Sequence, residues 1–359
     1  MAEIRLENVA HSYDGGETFA LKETSMVWED GKAYALLGPS GCGKTTLLNI
    51  ISGLIIPSHG KIFVDGVDIT EKPTEERNIA QVFQFPVLYD TMTVRKNLEF
   101  PLKNRKVPAE EIQKKVAEIA DMLDLTEMLD KRPGKLRSDL QQIVSLGRGL
   151  VRDSVAAILF DEPLTVIDQN SKWTLRSRLK KLHLQTEATI VYVTHDQTEA
   201  LTFADHVLVM KDGELIQAGT SEELYLSPAH EFVGYFIGSP GMNFIPVSST
   251  GSSITHKGET IGTASSELGA GDYNLGVRPE FVFPSDAGFE MEIMRVENRG
   301  VYQLLHMEFD GNPLIAKVGE SDVYKSGEIK KFSFNPERSF LFQDKRVVST
   351  FEPKTRVSN

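Results

Sequence analysis

The chain opens with apolar residues in a two-residue rhythm. Ile4, Leu6 and Val9 begin an extended amphipathic segment, and residues 21–27 form a second. The rhythm then gives way to continuous apolar runs at 33–37, 156–160 and 189–193, the pattern of parallel strands buried on both faces. Between them, residues 45–52 read as a helix that Gly53 closes, and Asp65-Gly66 joins strands 61–64 and 67–69 in a hairpin. A strand at 79–83 leads into Gln84.

From 85 to 150 the texture is helical. Pro108 starts a helix whose Ile112, Val116, Ile119, Ala120 and Leu123 make one apolar stripe, suited to core packing. Strands at 207–210 and 214–217 flank Lys211-Asp212-Gly213, and helices at 221–226 and 229–236 complete a first domain, 1–237. Beyond Gly238-Ser239-Pro240-Gly241 alternation returns at Phe289, Met291 and Ile293, a turn falls at Asp310-Gly311, and Phe332-Ser333-Phe334 alternates again. This predicts an all-β second domain, 238–359, a small barrel, with residues 351–359 as a tail.

Composition narrows the class. With 359 residues, 40% hydrophobic and 25% charged, the chain reads as a soluble globular protein long enough for two domains. A net charge of −12 argues against nucleic acid as the main partner. The N-terminus lacks the apolar core of a signal peptide, and no run is long enough to span a bilayer, so the expected location is the cytosol unless another chain holds the protein at a membrane. Cys42 is the one cysteine, which excludes an intrachain disulfide and reads as a small filler.

Gly38-Pro39-Ser40-Gly41-Cys42-Gly43-Lys44-Thr45 is a full match to the phosphate-binding loop, placed as that loop requires between a buried strand and a helix. Its glycines let successive N–H groups curl around phosphate oxygens beside the positive end of the helix. Lys44 would reach the β- and γ-phosphates, and Thr45 would offer its hydroxyl to Mg²⁺. Two apolar runs end in Asp161-Glu162-Pro163 and Thr194-His195-Asp196, and ligands of doubly wound sheets collect at such strand ends. Asp161 suits Mg²⁺, directly or through water. Glu162 is the candidate base for the attacking water, and His195 is placed to hydrogen-bond the γ-phosphate. Asp-Glu-Pro can equally just end a strand, and Thr-His-Asp can cap a helix. Tyr13 either stacks on an adenine or simply packs.

Nearly the whole chain resembles the ATP-binding subunits of ABC transporters, in particular the carbohydrate-uptake group that includes maltose and glycerol-3-phosphate importers. The resemblance rests on residues 38–46 (through Thr46), Val82-Phe83-Gln84, residues 158–163, Asp168, residues 193–196, and the C-terminal pieces 238–244 and 276–280. It implies an ATPase using ATP and Mg²⁺, with an α/β phosphate-loop domain of mostly parallel sheet carrying antiparallel and helical subdomains. A C-terminal regulatory barrel of OB-like type would follow. Gln84 becomes the link between Mg²⁺ and the membrane subunits, Tyr13 an adenine-stacking residue, and 85–150 the permease-facing subdomain. The implied partners are two permeases and, through them, an extracytoplasmic solute-binding protein. The chain itself would lie peripherally on the cytoplasmic face of the inner or plasma membrane.

One motif departs. Where the family carries Leu-Ser-Gly-Gly-Gln, which caps the γ-phosphate bound to the opposite subunit, this chain has Leu136-Arg137-Ser138-Asp139-Leu140. Both glycines are lost, which obstructs close backbone approach. The Asp139 carboxylate would repel a phosphate about 4 Å away by roughly 1–4 kcal/mol. Ser138 or Asp139 is expected to cap the helix that follows. These changes imply pairing with a second, non-identical ATP-binding subunit, and systems of that kind point to a polyol such as glycerol rather than a sugar. Two other readings stay open: a non-hydrolysing regulatory partner, and a soluble nucleic-acid-linked ATPase.

Overall fold

A computed structural model describes residues 2–152, 155–186, 188–320 and 322–354. The chain divides into two units, Met1–Ser221 and Glu222–Asn359. In the first, strands β1 (Ile4–His11), β2 (Leu21–Trp28) and β3 (Ala33–Leu37) precede helix α1 (Lys44–Ser52). Strands β4 (His59–Val64), β5 (Val67–Asp68) and β6 (Ile79–Val82) lead to the helical segment α2 (Val94–Asn104), α3 (Ala109–Met122) and α4 (Ser138–Leu150). Then come β7 (Ala157–Asp161), α5 (Gln169–Thr186), β8 (Thr189–Thr194), α6 (Gln197–Phe203), β9 (His206–Lys211) and β10 (Glu214–Gly219).

The elements sort into two sheets. One is antiparallel, in the order β2-β1-β4-β5, and the other has six strands in the order β10-β9-β3-β8-β7-β6. In the second sheet β3 pairs parallel with β8 and β9, and β7 pairs parallel with β8 and β6, whereas β10 runs antiparallel to β9. Strands β3, β7 and β8 are buried along their whole length, as their unbroken apolar runs require. Their side chains alternate between two cores. Ile158, Phe160, Ile190 and Tyr192 face one core with the stripe of α3, while Leu159, Val191 and Val193 face another with Leu47, Leu48 and Ile51 of α1.

Register is what matters for chemistry. Leu37 lies opposite Thr194, and Asp161 opposite Val193, so the segments after β3, β7 and β8 leave the sheet at one edge. Gly53 closes α1 in the left-handed conformation, φ 83°, and its N–H bonds back to Asn49 and Ile50.

The second unit takes up helices α7 (Ser221–Leu226) and α8 (Glu231–Phe236), then strands β11 (Asn243–His256), β12 (Glu259–Val277), β13 (Val282–Asn298), β14 (Tyr302–Phe309), β15 (Asn312–Gly319), β16 (Ile329–Phe334), β17 (Ser339–Gln343) and β18 (Arg346–Pro353). They form two antiparallel sheets, β11-β12-β17-β18 and β15-β14-β13-β16, over one apolar core, the all-β, barrel-like arrangement expected. Phe289, Met291, Ile293, Phe332 and Phe334 all point into that core.

Two expectations need correction. Residues 351–353 are not a tail, because Phe351 is buried in the barrel core on β18; residues 355–359 lie outside the described residues. The two units also divide after Ser221, the first residue of α7, rather than after residue 237, for a reason visible at Arg278. This side chain is 1% exposed and donates to the carbonyls of Tyr225 at 2.7 Å, Gly234 at 3.2 Å, Leu224 at 3.5 Å and Ile237. It thereby satisfies orphan carbonyls at the ends of both helices and fixes them to the residue that follows β12. Its guanidinium also lies 4.1 Å from the centre of the Tyr225 ring, and burial brings its pKa down to about 10.

Replacing Arg278 by Leu leaves buried carbonyls unpaired and should cost about 2–4 kcal/mol. Hydrogen exchange of amides in α7, α8 and β12 checks this: they should lose protection while β3, β7 and β8 keep theirs. Arg278→Lys, which offers fewer donors, should fall between.

Candidate functional site

The loop between β3 and α1 is shaped by its glycines. A Cβ on Gly38 would lie 2.3 Å from the Met210 carbonyl oxygen, and one on Gly43 would lie 2.4 Å from that of Ala20. Gly41 and Gly43 take φ of 79° and 98°, the left-handed region. No side chain caps α1 and its first turn has no acid, so its leading N–H groups face outward as an anion site. Lys44 is 5% exposed, and its ammonium donates to Gly38 O and Pro39 O at 2.8 Å each, at the centre of the loop's curl. Cys42 is buried beneath, 3.7 Å from that ammonium, and burial pushes its thiol up, which suits a packing role. A phosphate chain fits this cradle.

Beside the loop, Thr45 Oγ1 donates to Asp161 Oδ1 at 3.1 Å. Burial holds the Asp161 carboxyl above its ordinary value, while the Thr45 hydroxyl lowers it. A hydroxyl and a carboxylate at hydrogen-bond distance form the hard-oxygen pair that Mg²⁺ takes.

Glu162 follows with φ 44°, in the left-handed region that a glutamate seldom occupies. Its N–H is tied to Val193 O at 3.0 Å, and this bond turns the side chain off the end of the sheet. There Oε2 gathers three partners: His195 Nδ1 at 3.0 Å, Thr165 Oγ1 at 3.2 Å and Gln84 Nε2 at 3.5 Å. The capping role open to Thr-His-Asp falls to Asp196, whose carboxylate accepts from the N–H groups of Thr198 and Glu199; His195 stays half exposed. Tyr13 is 64% exposed, with its hydroxyl 3.2 Å from Thr46 Oγ1 and its ring edge-on to His11.

At the start of α4 the charge picture changes. The Asp139 carboxylate is paired with the Arg137 guanidinium, which holds it below the usual carboxylate range. The expected bare negative charge is therefore largely neutralised. The backbone is obstructed in another way: Asp139 Oδ1 already accepts the Leu140 N–H at 2.9 Å. Arg137 is the residue at the cap and makes no side-chain cap bond, so neither Ser138 nor Asp139 caps the helix from outside as expected. Leu136 packs against the helical core.

Gln142 escaped the sequence reading. Fully buried on α4, its Nε2 donates to Phe83 O at 3.1 Å and Pro163 O at 3.2 Å, linking the residues beside Gln84 and Glu162. The available signal was a glutamine on the helix face that also carries Leu146 and Gly149. Glu199 was missed as well. Buried on α6, it accepts from Tyr192 Oη at 3.1 Å and Thr194 Oγ1 at 2.8 Å, and Lys172 Nζ stands 3.4 Å away.

A glycine cradle, a Thr–Asp pair and a Glu–His pair at the end of one parallel sheet define a phosphate-loop ATPase. Residues 21–165 match the ABC transporter family. The sn-glycerol-3-phosphate import ATP-binding protein of Brucella abortus is 40% identical over 359 residues, covering 97% of this chain and 100% of that one. The trehalose import ATP-binding protein of Mycobacterium tuberculosis is 43% identical over 289 residues, with 79% and 73% covered. Among solved structures, a dimeric ATP-binding cassette bound to ADP and Pi superposes with a TM-score of 0.55 at 31% identity, over 60% of this chain and 98% of that one. The chain belongs to the ABC transporter family as an ATP-binding subunit of the sugar and glycerol-3-phosphate importer group, an ATPase that uses ATP with Mg²⁺.

Among the described residues Gln142 Oε1 has no partner, so Gln142→Met should preserve volume and fold. Loss of the two carbonyl ties should slow ATP hydrolysis about tenfold through misplacement of the site, with ATP affinity held within about threefold. Steady-state hydrolysis and nucleotide titration on the same preparation separate the two effects.

Proposed function

We propose that this chain drives import of a polyol or sugar by splitting ATP at the site around Glu162, on the cytoplasmic face of the inner or plasma membrane. The observation that carries the reading is the meeting of Gln84, Thr165 and His195 at one oxygen of Glu162, next to the Thr45–Asp161 pair. Lys44 and the amides of residues 38–46 bind the phosphates, and Thr45, Asp161 and Gln84 hold Mg²⁺, which neutralises charge on the β- and γ-phosphates when bound. Glu162 takes the proton of the attacking water. His195 shares that carboxylate and orients on the γ-phosphate, while Tyr13 stacks on the adenine.

No helix among the described residues is long and apolar enough to cross a membrane, so transport requires permease subunits. Residues 85–150 form the face that meets them. Phe85 and Val87, both exposed at its start, fit that role. An extracytoplasmic binding protein delivers the solute to the permeases. Relatives named for glycerol-3-phosphate and trehalose import support a small hydroxylated solute.

The chain works with a second, non-identical ATP-binding subunit. The start of α4 supports this, because its Leu140 amide is already taken by Asp139 and lacks the glycines that let a phosphate approach. A partner with an intact glycine motif would close over the competent loop described above. The regulatory reading, in which the chain does not hydrolyse ATP, is separated by Glu162→Gln.

Three outcomes follow for the purified chain and for the assembled transporter. Alone, it should hydrolyse ATP slowly. Replacing 137–139 by Ser-Gly-Gly should raise that rate about tenfold or more by recovering phosphate contacts. In the assembled transporter, Glu162→Gln should abolish turnover while ATP still binds. Full activity of the unmodified chain as a homodimer refutes the pairing, and an unchanged rate in the Glu162→Gln transporter refutes the catalytic assignment.

A further inference from the structure

A cleft of about 640 Å³ lies wholly within the second unit, walled by β11, β12 and the turn between β17 and β18. We propose that it is a binding site for a neutral polyhydroxylated small molecule, a sugar or polyol of one or two rings. Its volume is in the range of small-molecule sites.

The lining combines two kinds of surface. Val247, Tyr273 and Phe342, 0–5% exposed, form the packed apolar base beneath it. Around them stand groups that pair with hydroxyls in both senses. The Asp272 carboxylate is held by Ser248 Oγ at 3.1 Å, and Glu231 Oε1 by Asn274 Nδ2 at 2.8 Å, each with acceptor capacity left over. Gln343 supplies an amide that makes no side-chain hydrogen bond among the described residues.

One wall is preset. His256 is 4% exposed, lies stacked on Phe309 with ring centres 5.0 Å apart, and donates from Nδ1 to Pro246 O at 2.8 Å. Its Nε2 then accepts from Asn312 Nδ2 at 3.3 Å. Both ring nitrogens are engaged, so the imidazole fixes the shape of the cleft.

Charge selects against an anion. Three carboxylates line the cleft, those of Glu231, Asp272 and Asp344, against the ammonium groups of Lys257 and Lys345. Lys257 also donates to the carbonyl of Asp310 and keeps its charge, so the excess is one carboxylate. A phosphate would thus face an acid excess, whereas a neutral polyol meets donors and acceptors in nearly equal supply.

Calorimetric titration of the full chain tests this with glycerol, sorbitol, maltose and trehalose as neutral probes and sn-glycerol-3-phosphate and inorganic phosphate as charged ones. At least one neutral probe should bind at a single site. Asp272→Ala and Gln343→Ala, both at exposed positions, should each weaken it about tenfold by removing a hydroxyl partner. Lys44→Ala should leave it unchanged, which separates this site from the nucleotide site. The proposal is overturned if no neutral probe binds, if only the charged probes bind, or if both cleft variants, shown folded by circular dichroism, retain full affinity.

Discussion

The level ending of three parallel strands is the constraint on which the chemistry depends. Because Leu37 pairs beside Thr194 and Asp161 beside Val193, the loop after β3, the carboxylates after β7 and the histidine after β8 are delivered to one place by backbone hydrogen bonds alone. No side chain has to reach across the molecule. A slip of one residue in β7 would turn Phe160 out of its core and carry Asp161 away from Thr45. The apolar cores on the two faces of the sheet therefore enforce the active geometry as well as the fold.

Within that frame, polar groups close to the site are held by other polar groups buried behind them. The left-handed Glu162 stays in place because its N–H is bonded to Val193 O and its carboxylate to Thr165 of its own turn and to Gln84 and His195 of two other segments. Gln142 ties together the backbone on either side of this pairing, and Glu199 anchors Thr194 from below. The ties of Gln142 and Glu199 lie in a dry interior, where a lost partner costs about 1–3 kcal/mol and a kept one specifies a single arrangement.

Much of this could be read from residue order. The unbroken apolar runs gave β3, β7 and β8, the Asp65-Gly66 and Asp310-Gly311 turns fell where expected, and the stripe from Ile112 to Leu123 is buried. That the phosphate loop, Asp161, Glu162 and His195 come together was legible because the loop follows one apolar run and the other three stand at the ends of two more, while Thr45 opens the helix behind the loop. What escaped has a common cause. Gln142, Glu199 and Arg278 are buried polar residues whose partners are mostly backbone carbonyls or side chains from other elements, and no local pattern announces such partners. The long β11–β12 hairpin was equally silent, since glycines and serines break its alternation along much of both strands.

The two helix N-termini near nucleotide chemistry show how one physical feature can be left open or filled from within. At α1 the cap is a glycine, no acid follows, and the amides and dipole are free to hold an anion from outside. At α4 the equivalent position has been answered internally: Asp139 accepts the Leu140 amide and Arg137 balances the carboxylate. Helix α4 gains stability from a carboxylate in its first turn, and the amide that binds it is withdrawn from any other anion. The same carboxylate that steadies the helix occupies an amide at its N-terminus. The chain thus carries one helix N-terminus left open, at α1, and one with an amide answered from within, at α4.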